Sequence, residues 1–101
     1  MARKLKTTRF DSAAYLNSAE AIAAYMEDAL DSNDPAVIAH ALGTIARARG
    51  MSRIAKKAGL SRESLYKALS PSGNPEFGTI IRVMRALGLK LSATSAHRNA
   101  A

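Results

Sequence analysis

Residues 62–67 carry four polar side chains whose spacing places them on one side of a helix. The four are Arg62, Glu63, Tyr66 and Lys67. Arginine and lysine can donate to guanine O6 and N7, while a glutamate carboxylate can accept from cytosine N4. Each good contact of this kind discriminates between bases by about 1 to 3 kcal/mol. The pattern therefore predicts a surface that reads base edges, with Tyr66 either stacking on a base or sugar or covering its own helix.

Seven further side chains have the chemistry to hold phosphate. Lysine and arginine neutralise phosphate charge, hydroxyl and amide groups donate to phosphate oxygens, and the free amides of a helix N-terminus attract an anion. The phosphate-contact candidates are Ser52, Arg53, Lys56, Lys57, Ser61, Ser64 and Asn74. The hydroxyls of Ser61 and Ser64 could contact bases instead. Phosphate contacts fix the register of a protein on a duplex but carry no sequence information.

Most of these residues lie in one stretch, 51–69, that predicts two short helices joined by a three-residue turn. Ser52 and Ser61 are good N-cap residues, and Gly59 between them is a good helix stop. Apolar residues three and four apart, ending at Leu69, form a stripe opposite the polar side chains. This is the spacing of a helix-turn-helix, although an ordinary helical hairpin in a small bundle is the plainer alternative.

Three further helices are predicted around this stretch, with bounds of about 18–30, 35–49 and 76–87. Asn17 with Glu20 matches a capping box, and Asp34 before Pro35 marks the start of the second helix. Gly50 is expected to end that helix.

Helical periodicity predicts which side chains of these helices face the core. The predicted core residues are Ile22, Tyr25, Met26, Ala29, Leu30, Val37, Ile38, Ala41, Leu42, Ile45, Ala46, Phe77, Ile80, Ile81, Met84 and Leu87. His40 stands alone among apolar residues, and we expect it to be a partly buried structural side chain and not a ligand.

A short strand is predicted after Gly88, which is expected to end the last helix. Leu89, Leu91 and Ala93 alternate with polar residues, a period that favours a strand with one apolar side. A single strand needs a partner, and two-fold pairing with a second copy would satisfy its backbone groups. Leu89 and Leu91 are therefore candidate dimer contacts, with the N-terminal arm and another protein as alternative partners. The sequence thus predicts an all-α fold of five helices with a short C-terminal strand.

Charge is divided sharply along the chain. Residues 1–9 carry four positive charges, residues 10–46 carry six negative charges and no positive one, and residues 47–101 carry eleven positive and two negative charges. The basic part contains the predicted helix-turn-helix, which is the electrostatic footprint of a protein that binds double-stranded DNA. A monomer would bury too little surface for a unique site, so we expect a dimer that contacts two half-sites about 34 Å apart.

The acidic part should face a different partner or water. Its exposed candidates for contact with another protein are Phe10, Tyr15, Glu20, Glu27, Asp28 and Asp31. A solvated helix face explains the acidic residues equally well, because charge runs usually lie in solvent. Both interpretations stay open.

Composition limits the other possibilities. With 101 residues and 48% hydrophobic residues, the chain can form one small core, expected over residues 10–93 between a flexible basic arm, 1–9, and a frayed tail, 94–101. There is no cysteine, and two separated histidines do not make a metal site, so neither a metal nor a cofactor is expected.

No nucleophile with a base, paired carboxylates or phosphate loop is apparent, which argues against an enzyme. The longest uncharged run is too short to cross a bilayer, so we expect a cytoplasmic protein with no membrane contact.

Several stretches of the chain resemble a known family. SRIAKKAGLSRESLYKALS followed by GNPEFGTIIRVMRALGLKLS is similar to the addiction-module antidote proteins that carry a phage-repressor or Xre-type helix-turn-helix. The upstream stretches FDSAAYLNSAEAIAAYMEDAL and DPAVIAHALGTIARARGMS resemble the same family, so the resemblance extends from Phe10 to Ser92. One departure is Arg53, because phage-repressor domains often carry glutamine at the second residue of the first motif helix.

The resemblance implies an antitoxin with a phage-repressor-like fold. Proteins of this kind are usually encoded beside a small toxin of the RelE/ParE superfamily, bind and neutralise it, and repress their shared operon. The alternative is a stand-alone prophage-type transcriptional regulator with no toxin partner.

Overall fold

A computed structural model gives the protein's fold and describes residues 16–96. Within this range the chain forms five helices and no strand: α1 Ala19–Asp31, α2 Pro35–Arg49, α3 Met51–Ala58, α4 Arg62–Ala68 and α5 Phe77–Ala86. Helix α3 lies at the centre and packs against α2, α4 and α5, while α1 packs against α2. The prediction of an all-helical fold with five helices is confirmed.

Side chains cap three of the helix starts. Ser18 Oγ accepts from the Ala21 amide at 3.1 Å, and the Asp34 carboxylate accepts from the Ala36 amide at 2.9 Å. These bonds satisfy amides that have no partner within the helix, and losing such a cap typically costs about 1 kcal/mol. The predicted start at Asp34 and Pro35 is confirmed. The predicted capping box is wrong by one position, because Ser18 and not Asn17 is the N-cap.

The predicted N-cap of α3 is also wrong. The helix begins at Met51, and Ser52 is an exposed residue inside its first turn. Met51 is 6% exposed, so burial of its side chain favours a helix that already includes it. Gly50 separates α2 from α3, as predicted for the end of α2.

The core lies where the five helices meet. Its most fully buried large side chains are Leu16, Met26, Leu42, Ile45, Leu65 and Val83. Val83 was not predicted in the core, whereas Val37 and Phe77 were and lie 41% and 69% exposed. Phe77 faces solvent although it shares a side of α5 with Met84, which is 2% exposed.

His40 is exposed, so its predicted partial burial is wrong. It lies on the outer side of α2, away from the buried Leu42 and Ile45.

The predicted strand after Gly88 is not confirmed, because residues 88–96 contain no β-strand. The Leu89 amide instead donates to the Met84 carbonyl at 2.8 Å, which closes the end of α5. Leu89 and Leu91 are half-buried and pack against the core. Residues 16–96 contain no strand with which these residues could pair, and their apolar side chains are half-buried against their own helices.

Three predictions fall wholly or partly outside the described residues. These are the arm 1–9, the segment containing Phe10 and Tyr15, and the end of the tail beyond residue 96. None of the helices within residues 16–96 is long and apolar enough to cross a membrane.

Candidate nucleic-acid interface

Three residues, Gly59 to Ser61, join α3 to α4. Gly59 has φ +75°, a left-handed conformation that a side chain at this position would strain. The Leu60 amide donates to the Ala55 carbonyl at 2.8 Å, which closes the end of α3, and Ser61 Oγ accepts from the Ser64 amide at 2.9 Å, which opens α4. The turn is therefore fixed by backbone geometry and hydrogen bonds on both sides, as the sequence predicted for Gly59 and Ser61.

Apolar contacts set how the two helices cross. Ala55 and Ala58 of α3 are 2% and 4% exposed, and Leu65 of α4 is fully buried. Small residues at the crossing allow the helices to approach closely. The packing thus turns the opposite sides of both helices toward solvent.

The exposed sides of α3 and α4 are rich in positive charge. We call this the basic surface, and its cations are Arg53, Lys56, Lys57, Arg62 and Lys67. Glu63 and Tyr66 lie on α4 beside them, and Tyr66 is 42% exposed. The structure therefore brings all four base-reading candidates together on one exposed helix.

Arg62 and Tyr66 are paired one helical turn apart. The Arg62 guanidinium carbon lies 5.3 Å from the centre of the Tyr66 ring, within the range of a cation–π contact. A guanidinium that lies flat on a ring keeps its N–H edge for guanine O6 and N7, which bind that edge as a bidentate pair.

The serine candidates differ in whether their hydroxyl groups can still donate a hydrogen bond. The Ser61 hydroxyl donates to Ser64 Oγ at 2.9 Å while its oxygen caps α4, so its one hydrogen is already engaged and is not free to bind a phosphate oxygen. Ser64 keeps a hydroxyl hydrogen to donate. Ser52 lies in the first turn of α3, where the first amides have no partner from a capping side chain.

Asn74 lies apart from the α3 and α4 candidates, in the loop before α5. It is exposed and has φ +46°, a conformation that asparagine tolerates better than most side chains. The choice of asparagine there has a backbone explanation in addition to any contact with phosphate.

Two cations that the sequence analysis did not select lie beside Lys57. Arg82 and Arg85 of α5 line a cleft of about 490 Å³ together with Lys57, Ala58 and Ala86. None of these described lining residues is acidic, so the cleft carries three positive charges. Only the packing of α5 against α3 brings them together, and the spacing of two arginines on α5 gave no signal of that packing.

The acidic candidates of α1 lie elsewhere. Glu20, Glu27, Asp28 and Asp31 are all exposed on a helix that packs against α2. Within residues 16–96, no three histidine or acidic side chains come together as metal ligands would.

Comparison with known proteins identifies the family. A family model described as "Probable addiction module antidote protein" matches residues 6–95. A protein from Haemophilus influenzae, described only as uncharacterized, is 53% identical over 81 residues, which are 80% of this chain and 84% of the relative. No solved structure is significantly similar. The family model spans most of the chain and the identity to the relative is high, so the protein belongs to the family of probable addiction module antidote proteins.

Proposed function

We propose that this chain is the antitoxin of a type II toxin–antitoxin module. In this proposal it binds and neutralises a RelE/ParE-like toxin and represses its own operon by sequence-specific binding to DNA. Family membership supports the antitoxin role in general. The DNA-binding half rests on one observation above all, the exposed side of α4 on which Arg62 lies over the Tyr66 ring beside Lys67.

On DNA, α3 and α4 act as a helix-turn-helix of phage-repressor type. The N-terminal part of α4 enters the major groove, where Arg62 and Lys67 donate to guanine and Glu63 accepts from cytosine. Tyr66 holds the Arg62 guanidinium ready for that contact. Losing one such base contact would cost about 1 to 3 kcal/mol and would relax the preference at that base.

Phosphate contacts surround the base-reading residues in this proposal. Arg53, Lys56 and Lys57 neutralise the phosphate backbone, and the amides at the start of α3 donate to a phosphate beside Ser52. Ser64 donates to a further phosphate, whereas Asn74, which lies in the loop before α5 apart from α3 and α4, stays outside the DNA footprint in this proposal. Ser61 mainly serves as the cap of α4, and the cleft of Lys57 with Arg82 and Arg85 adds one more place for a phosphate.

A homodimer would read a two-fold operator. Two copies of α4 would enter successive major grooves about 34 Å apart. Of the two candidate dimer contacts, this proposal keeps Leu89, which is only half-buried in the single chain.

The toxin would meet a different part of the chain. The acidic side of α1 would repel phosphate and attract a basic protein; its residues are Glu20, Glu27, Asp28 and Asp31. Phe10 and Tyr15 precede this helix in the sequence. In this proposal the protein works in the cytoplasm and has no catalytic role, cofactor or membrane contact.

Gel shifts with the promoter of the protein's own operon test the DNA-binding half. Arg62→Ala and Lys67→Ala should each weaken binding by about 10-fold or more, because each removes a base contact. Both residues are exposed, so melting temperatures should stay near that of the wild type. Wild-type binding by both variants would contradict the assignment of α4.

Co-expression with the neighbouring open reading frame tests the toxin half. The neighbour should encode a small basic protein that co-purifies with this chain and stops growth when expressed alone. Operator binding without any such partner would favour the alternative, a stand-alone prophage-type regulator.

A further inference from the structure

An apolar groove lies on the surface beside the connection from α1 to α2 and the start of α5. It has a volume of about 730 Å³ and lies between the end of α1, the start of α2, the loop before α5 and the first turns of α5. Its apolar lining includes Leu30, Pro35, Ile38, Phe77, Ile80 and Leu91. We call it the apolar groove.

Phe77 dominates this surface. It is 69% exposed, more than any other large apolar side chain among residues 16–96. A phenylalanine ring beside a groove of this size has the form of an interface anchor, because a partner that covers it removes a large apolar area from water. Folding of the single chain gains nothing from leaving that ring exposed.

The charge around the apolar groove is opposite to the charge of the whole protein. Asp34 lines the groove, and Asp31, Glu76 and Lys90 adjoin lining residues in the sequence; all four are exposed, and three of them are acidic. None of the described lining residues is lysine or arginine. A chain with net charge +7 thus has a locally acidic rim beside the most exposed large apolar side chain of residues 16–96.

This charge pattern discriminates between occupants. In a symmetric dimer the same patch meets itself, so pairing through the apolar groove would bring Asp31, Asp34 and Glu76 near their own copies. Like charges placed together oppose association, whereas a basic partner would be attracted.

We propose that the apolar groove binds a basic partner protein through an exposed apolar side chain flanked by lysine or arginine, and that this partner is the toxin. The inference rests on the proposed function, since it assigns the toxin a place on this chain. Phe77 contacts the apolar side chain of the toxin, and Asp31, Asp34 and Glu76 attract its flanking cations. The site is separate from the basic surface of α3 and α4.

The test measures the affinity of the purified product of the neighbouring open reading frame for variants of the full chain. Phe77→Ala should weaken binding by at least about 30-fold, as loss of an interface anchor does. Val37→Ala is the matched control, because Val37 is also an exposed apolar residue but does not line the groove. This control should bind the toxin like the wild type.

A second variant tests the rim. The double change Asp31→Asn and Glu76→Gln removes two negative charges, and neither side chain caps a helix. It should weaken toxin binding by roughly 2- to 10-fold and should flatten the dependence of affinity on salt.

The outcomes separate this inference from the proposed function. If the wild-type chain fails to bind the neighbour's product, the proposed function fails and the inference falls with it. If the wild type binds but Phe77→Ala binds equally well, the inference alone is overturned. A change of oligomeric state in Phe77→Ala with unchanged toxin affinity also overturns it, because a second copy would then occupy the groove. Weaker toxin binding with unchanged operator binding and unchanged oligomeric state supports it.

Discussion

The basic surface and the apolar groove are the two exposed regions of this protein with the clearest chemistry, and they differ in how they arise. The basic surface is built on two short helices whose polar side chains point away from the core. The apolar groove forms where three separate parts of the chain meet, residues 30–39, residues 70–84 and Leu91. Local sequence pattern determines the first, whereas tertiary packing determines the second. A surface of the first kind can be recognised from sequence, and a surface of the second kind requires the fold.

The basic surface and the apolar groove are both built on the same hydrophobic core. A substitution that destabilises this core should therefore disrupt both regions together. Leu65 of α4 is fully buried, so Leu65→Ala should lower the free energy of unfolding by about 2 to 5 kcal/mol. Val37→Ala removes an apolar side chain that is 41% exposed and should cost far less. Denaturant unfolding of both variants measures the contrast. Equal costs would mean that Leu65 is not central to the core.

The loop before α5 belongs to the apolar groove and should be sensitive to a single methyl group. A side chain at Gly73 would press on the backbone carbonyls of Lys67 and Ala68, so Gly73→Ala should destabilise the protein by about 1 to 3 kcal/mol. Gly78 is the matched control, because nothing lies within 4 Å of a side chain there. Gly78→Ala in α5 should be neutral or stabilising by up to about 1 kcal/mol. Thermal melting distinguishes them, and similar shifts for both would contradict the close approach at Gly73.

The cleft of Lys57, Arg82 and Arg85 should extend the basic surface onto a third helix. Replacing Arg82 and Arg85 with glutamine should reduce the slope of log affinity against log salt by about 0.9 per lost phosphate contact. Binding should weaken to the same extent on operator and unrelated DNA, unlike the base-specific effect of Arg62→Ala. Filter binding at several salt concentrations gives both slopes. An unchanged slope would remove α5 from the DNA footprint.

The smallest expected effect concerns Tyr66. Tyr66→Leu keeps an apolar side chain but removes the ring that stacks on Arg62, and should weaken operator binding by about 0.5 to 1 kcal/mol. The same change should have little effect when Arg62 is already alanine. This double-mutant cycle isolates the pair. A full loss of binding caused by Tyr66→Leu in both backgrounds would show that the ring contacts DNA directly.

The sequence predicted the elements better than their contacts. Asp34 with Pro35, Gly59 and Ser61 act locally, through a cap or a left-handed turn, and all four were predicted at the right places. Met51 shifted the start of α3 because its side chain is buried, which no local pattern revealed.

Exposure of Phe77 and burial of Val83 were missed for a similar reason. Periodicity identifies the apolar side of α5. It does not show which residues on that side are covered by the rest of the fold. The strand after Gly88 was inferred from alternation alone, and alternation cannot supply a partner strand. Leu89 and Leu91 pack on their own core in the single chain.

The most direct test of the central claim, that DNA and toxin bind different regions, is whether one chain holds both at once. Operator DNA saturated with the wild-type protein is titrated with the purified product of the neighbouring open reading frame and followed by gel shift and mass measurement. Separate sites predict a slower-migrating complex whose mass includes DNA, antitoxin and toxin. Release of free DNA in proportion to added toxin would contradict the claim, because it would mean that the two partners compete for the same region.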